Sequence, residues 1–109
     1  MPELKDFRKV EVIELPSFPG SKVEIYDQLI FGNIVQLDEL GEDATDMERI
    51  IKAASLLIKS WNLTDKDGNV LPITVENIRK LPIKDANILM KKVTEAIEGR
   101  PKKGGSQKE

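Results

Sequence analysis

Two stretches near the start of the chain alternate apolar with charged residues. RKVEVIEL (8–15) carries Val10, Val12 and Ile13 among charges, and SKVEIY (21–26) sets Val23 and Ile25 against Lys22 and Glu24. Alternation of β-branched residues predicts strands. PSFPG (16–20) between them is turn chemistry, so the pair predicts a β-hairpin, with Ile13, out of phase with Val10 and Val12, at a change of register. An isolated hairpin is marginal in water and must lie on something.

Downstream the period lengthens. In FGNIVQLDEL (31–40), Phe31, Ile34 and Val35 recur at helical spacing and Gly41 stands where a stop belongs. Thr45-Asp46-Met47-Glu48 fits a capping box. Met47, Ile50, Ile51, Ala54, Leu57, Ile58 and Trp61 then follow the steps of one helix face, widened by Ala53 and Leu56. They predict a buried central helix over about 46–61. Thr74 can cap a short helix through Ile78 and Lys80. Leu81-Pro82 is an extended joint, because the residue before a proline avoids the α region. A last helix is expected over about 84–98, with Ala86, Leu89, Met90, Val93 and Ile97 inward. The fold class is α+β: an N-terminal β-hairpin packed with a small helical domain, one domain over 1–99, followed by a disordered basic tail, 100–109. Residues 1–7 read as a frayed terminus.

WNLTDKDGNVLPITVEN (61–77) admits two readings from its residues. Asp65, Asp67, Asn69 and Glu76 occupy oxygen-ligand positions of a calcium loop. However, that loop requires Gly where Val70 stands, and here Gly68 falls two places early. The other reading is a turn: Asp-Gly and Gly-Asn tolerate positive φ. Trp61-Asn62-Leu63 would then pair with Val70-Leu71-Pro72-Ile73, docking through Trp61, Leu63, Val70 and Ile73.

Composition narrows the chemistry. The chain has neither Cys nor His. That removes disulfides, thiolate ligands, the commonest general base and the commonest zinc ligand. Net charge is −2. The ten tail residues hold four basic side chains and one Glu, so 1–99 carries −5. Arg79, Lys80, Lys84, Lys91 and Lys92 gather around the last helix, but aromatics for stacking bases are few and the domain is acidic, so a solvated helix face is favoured over nucleic-acid binding. Glu42, Asp43, Asp46 and Glu48 form the densest acid cluster, at a helix start where acids suit the dipole. No enzyme is expected, and no cofactor or metal. No apolar run is long enough for a membrane span, and MPELKDFRKV lacks an apolar signal region; a cytoplasmic location follows as the expectation.

The order Trp61-Asn62-Leu63, then Asp65, Asp67, Gly68 and Asn69, then Leu71, Pro72, Thr74, Glu76 and Asn77, then Leu81-Pro82 before a helix resembles small tail-assembly chaperones of tailed bacteriophages and prophages. Together with the strand–turn–strand of LPSFPGSKVEIYD, the similarity covers most of 10–98. The resemblance implies a non-enzymatic protein of the bacterial cytoplasm. It would bind the helical tape-measure protein during tail morphogenesis and have a tendency to self-associate. Phe18, Ile30 and Phe31 are the candidate partner contacts, unless they finish the core. Lys102-Lys103-Gly104 permits a slippery codon run of the kind that yields a longer form. Other readings are a structural or connector protein of the phage particle, or a small module binding protein or nucleic acid.

Overall fold

The computed structural model describes residues 2–98; the tail expected at 100–109 lies outside them. Strand β1 (Val10–Ile13) pairs antiparallel with β2 (Val23–Tyr26), as the alternation predicts. Val10 faces Tyr26 and Ile13 faces Val23 with no shift between them, so Ile13 marks no change of register. Val23 and Ile25 are buried, while Val10 and Val12 stay exposed on the far face of the sheet. The turn closes through Leu15, whose N–H donates to Ser21 Oγ at 2.8 Å.

Helix α1 (Phe31–Asp38) turns Phe31, Ile34 and Val35 outward, opposite to the expectation for its apolar face. Leu37 is its residue against the core, and the buried Asn33 accepts the Ile30 N–H at 3.1 Å. Eight residues on one side of α2 offer too little contact to cover two faces. Arg49 fastens the loop after α1, donating to the carbonyls of Gly41 and Ala44 at 2.6 and 2.9 Å. Gly41 has φ +89°, which halts the chain's helical course.

Helix α2 (Asp46–Leu57) begins with the predicted reciprocal cap: Thr45 Oγ1 accepts from the Glu48 N–H at 3.0 Å, and Glu48 accepts from the Thr45 N–H at 2.8 Å. It does not run to 61. At Ile58 ψ becomes 122° and the chain enters β3 (Ile58–Trp61), which pairs antiparallel with β2. The sheet therefore has three strands in the order β1-β2-β3. Trp61 faces Val23 and Ser60 faces Glu24, but Ile58 rather than Lys59 faces Ile25. Lys59 is thus the extra residue of a β-bulge. Without it, Ile58 and Trp61 would point to opposite faces; with it, both are buried. A three-residue spacing that reads as helical is accommodated in a strand.

Helix α3 (Val75–Ile78) is capped by Thr74, which accepts from Asn77 N at 3.1 Å. Helix α4 (Ile83–Glu98) buries Leu89, Val93 and Ala96, whereas Ile97 is exposed. The stripe is centred toward Asp85, a fully buried carboxylate in the first turn. Asp85 Oδ1 accepts the Ser17 N–H at 3.1 Å, tying α4 to the hairpin turn, and the position suits negative charge near a helix start. A second tie, Lys92 to Glu11 at 2.8 Å, is partly exposed. These elements enclose one apolar cluster of Leu15, Val23, Ile25, Leu57, Trp61, Leu89, Val93 and their neighbours. Among the described residues no helix is long and apolar enough to cross a membrane.

Ahead of β1, Arg8 stacks on the Tyr26 ring, 3.6 Å from its centroid, and bonds Asp6 at 2.6 Å. The guanidinium of Arg8 holds the Asp6 carboxyl down to about 2. A carboxylate with a depressed folded value favours the docked arm above its ordinary 3.8, and that contribution is lost as pH falls through about 2. NMR shifts of the Tyr26 ring should report a titration with a midpoint of about 2, and Asp6→Asn should abolish it.

The bulge gives a second expectation. Deleting Lys59 forces Ile58 or Trp61 out of the core and should cost at least about 3 kcal/mol, the scale of losing a large core side chain. Lys59→Ala, which keeps the bulge, should stay within about 0.5 kcal/mol in the same urea melts. Equal stability of the two would remove the bulge from the account.

Candidate functional site

The residues of 61–82 converge on a cleft of about 300 Å³ between the β1–β2 turn and α3, lined by Phe18, Trp61, Leu63, Leu71, Asn77 and Leu81 among others. The polar groups of Trp61, Asn62 and Asn77 are already committed. Trp61 Nε1 donates to the Leu71 carbonyl at 2.7 Å. Asn62 Oδ1 accepts the Lys22 N–H at 2.7 Å, and its Nδ2 donates to the Gly20 carbonyl at 3.3 Å. Asn77 Nδ2 donates to the Pro72 carbonyl at 2.9 Å. The Pro82 carbonyl accepts from Asp85 and Ala86, starting α4.

The loop at 65–69 is a turn, as one reading predicts. The Leu71 N–H donates to the Leu63 carbonyl, Thr64 bridges Val70, and Gly68 takes φ +85°. Leu71 and Ile73 lean on the core, but Val70, expected to dock, is exposed. Asp65 Oδ1 accepts the N–H groups of Asp67 at 2.8 Å and Asn69 at 3.0 Å. The Asn69 amide foremost holds this carboxyl below the ordinary carboxylate range. Its Oδ1 serves the turn's own backbone, and among the described residues no group of three or more acids is placed to hold a metal.

The three candidate contact residues do not meet. Phe18 lines the cleft, on the hairpin turn. Ile30 and Phe31 stand at the start of α1, with Phe31 81% exposed, and they line neither the cleft nor the groove described next. With Ile34 and Val35 they form an outward apolar patch on α1. Of the basic residues near the last helix, Lys92 is paired with Glu11.

A groove of about 320 Å³ runs between α2 and α4, closed at one side by α3. Met47, Ile50, Ile51 and Ala54 form one wall; Ile83, Ala86 and Met90 form the other. Met47 is half exposed and Ile83 is 78% exposed, both in the first turns of their helices. Arg79 and Asn87 supply the polar groups of the lining. The groove continues into a wider hollow that shares Met47, Ile51 and Arg79 and adds Leu40, Asp43 and Glu48. The helical spacing places Met47 and Met90 on inward faces and gives Ile83 no role. The available signal was the width of the apolar stripe on α2, broader than one packing partner requires.

No family model, curated protein or solved structure matches the chain.

If the polar groups around the cleft serve the fold, their loss should appear as stability. Trp61→Phe, which leaves the Leu71 carbonyl without its donor, should cost about 1–3 kcal/mol in denaturant unfolding. Asp67→Ala should stay within about 0.5 kcal/mol, because that residue contributes its backbone N–H.

Proposed function

We propose that this chain is a non-enzymatic protein-binding domain that holds an amphipathic helix, and that it serves as an assembly chaperone for phage tails with the tape-measure protein as partner. The observation that carries the reading is the open apolar groove between α2 and α4. Large apolar side chains left half exposed along two helices suit a helix laid into a groove, a recurring mode of recognition. Methionine walls accept more than one sequence, as a chaperone of a long helical partner requires. The phage assignment rests on the resemblance of 61–82, and the exposed patch of Ile30 and Phe31 offers a second contact for the same partner or for self-association.

Chemistry of the non-enzymatic kind is consistent with how the carboxylates are used. Glu48 caps α2, Asp65 ties its own turn, and Asp85 holds the hairpin. Each accepts from backbone N–H groups, Asp85 through Oδ1 alone, its buried Oδ2 having no partner among the described residues.

The reading predicts that a long helical protein is encoded beside this gene, and it is tested by sequencing the neighbouring DNA and co-expressing the chain with that product. The partner should stay soluble and copurify. Met47→Asp should reduce capture about tenfold or more, as a hot-spot substitution does. The variant should still fold, because Met47 is half exposed and an acid in the first turn favours the helix dipole. Undiminished capture by Met47→Asp would move the contact away from the groove. Recovery of the chain in finished particles, by mass spectrometry, would replace the chaperone with a connector.

A further inference from the structure

The two groove walls repeat at helical steps: Met47, Ile50, Ile51 and Ala54 on α2, and Ile83, Ala86 and Met90 on α4. A seam between two such stripes accepts a third helix by ridges into grooves. The small Ala54 and Ala86 let its backbone come close. An extended segment would fit poorly, because the groove is walled by helices and offers no strand edge to pair its amides.

Among the residues lining this groove, one carries a charge. Arg79, at the C-cap of α3, stands where the groove meets the adjoining hollow. Within the described residues its guanidinium makes no hydrogen bond or ion pair. Of the acids in the hollow, Glu48 is committed to the Thr45 cap, and Asp43 makes no ion pair with Arg79. An apolar trough with a single unmatched guanidinium has a definite complement.

We propose that the groove selects an amphipathic helix carrying a carboxylate at the edge of its apolar stripe, and that pairing of this carboxylate with Arg79 sets the register and direction in which the helix lies. This rests on the reading of the groove as a helix site. The planar guanidinium matches a carboxylate with two parallel donors, which fixes geometry better than a point charge. A helix laid in reverse places its carboxylate away from Arg79, so one ion pair discriminates direction while the apolar walls supply the affinity.

The probes are synthetic amphipathic helices of about 20 residues, roughly 30 Å long, with a leucine stripe and one Glu moved stepwise along the stripe edge. Gln and Lys versions are made at each position, and binding to the full chain is read by fluorescence anisotropy. At the matching position Glu should bind about fivefold tighter than Gln, the upper range for a partly exposed ion pair, and Lys should bind more weakly than Gln. Arg79→Gln should erase the preference for Glu, and Arg79→Glu should transfer it to Lys. If the Gln peptides bind and Met47→Asp abolishes that binding, but Glu, Gln and Lys are equivalent at every position, the groove stands and the role of Arg79 is overturned. If no peptide binds, or Met47→Asp changes nothing, the helix site itself falls and the inference with it.

Discussion

Helix α2 passes into strand β3 with no connecting residue between Leu57 and Ile58. A junction that short fixes the helix to the sheet it feeds, and it sets a demand on the strand. Ile58 must enter the core at once, and Trp61 must follow it, although a regular strand would face them apart. The bulge at Lys59 meets this demand. Once Trp61 is inside, its indole holds the Leu71 carbonyl, so the turn at 65–69 hangs from it. Asn77 then holds the Pro72 carbonyl, and Pro82 starts α4. The order of the C-terminal half is set outward from this one irregularity in β3.

Features governed by neighbours in the chain are legible from residue order. The hairpin alternation, the Thr45–Glu48 cap, the Thr74 cap and the turn at Gly68 each obey a local rule, and each forms as that rule predicts. The rest depends on partners distant in sequence. Ile58 and Trp61 continue the helical period of α2, and only pairing with β2 decides that they form a strand. On α4 the apolar residues alone centre the stripe on Ala86, Met90 and Ile97. The true centre passes through Asp85, because Ser17, 68 residues away, supplies its hydrogen bond. A buried polar side chain of this kind is invisible to an apolar count. The outward turn of Phe31, Ile34 and Val35 has the same origin, since the contact surface left to α1 is set by α2.

The pattern that carries the resemblance and the surface that suits a partner share Leu81 and otherwise occupy different residues. Trp61, Asn62, Asp65, Asn77 and Pro82 are consumed in hydrogen bonds that shape the segment. Such a pattern specifies how 61–82 folds. The groove is lined by Met47, Ile83 and Met90, which lie outside it. A fold-specifying pattern can persist while the binding surface takes whatever apolar and charged residues its partner demands. Of the candidate contacts, Phe18 belongs with the fold-specifying cleft, whereas Ile30 and Phe31 lie on free surface.

The energetics of the groove favour a reversible partner. Ile83 is the first residue of α4, after Pro82 has already provided the opening carbonyl, and Met47 lies in the first turn of α2 beneath its cap. Neither helix start needs the apolar side chain it displays, so folding gains little from them. Covering a side chain of this size is worth about 1.5–3 kcal/mol. Much of that gain offsets the ordering of the incoming helix and the lost freedom of association. In the proposed role, a few such residues, adaptable through Met47 and Met90, would hold a helix without holding it permanently. A chaperone that must yield its partner to an assembling structure needs an attachment of that strength, and a subunit that stays in the finished assembly needs a larger one.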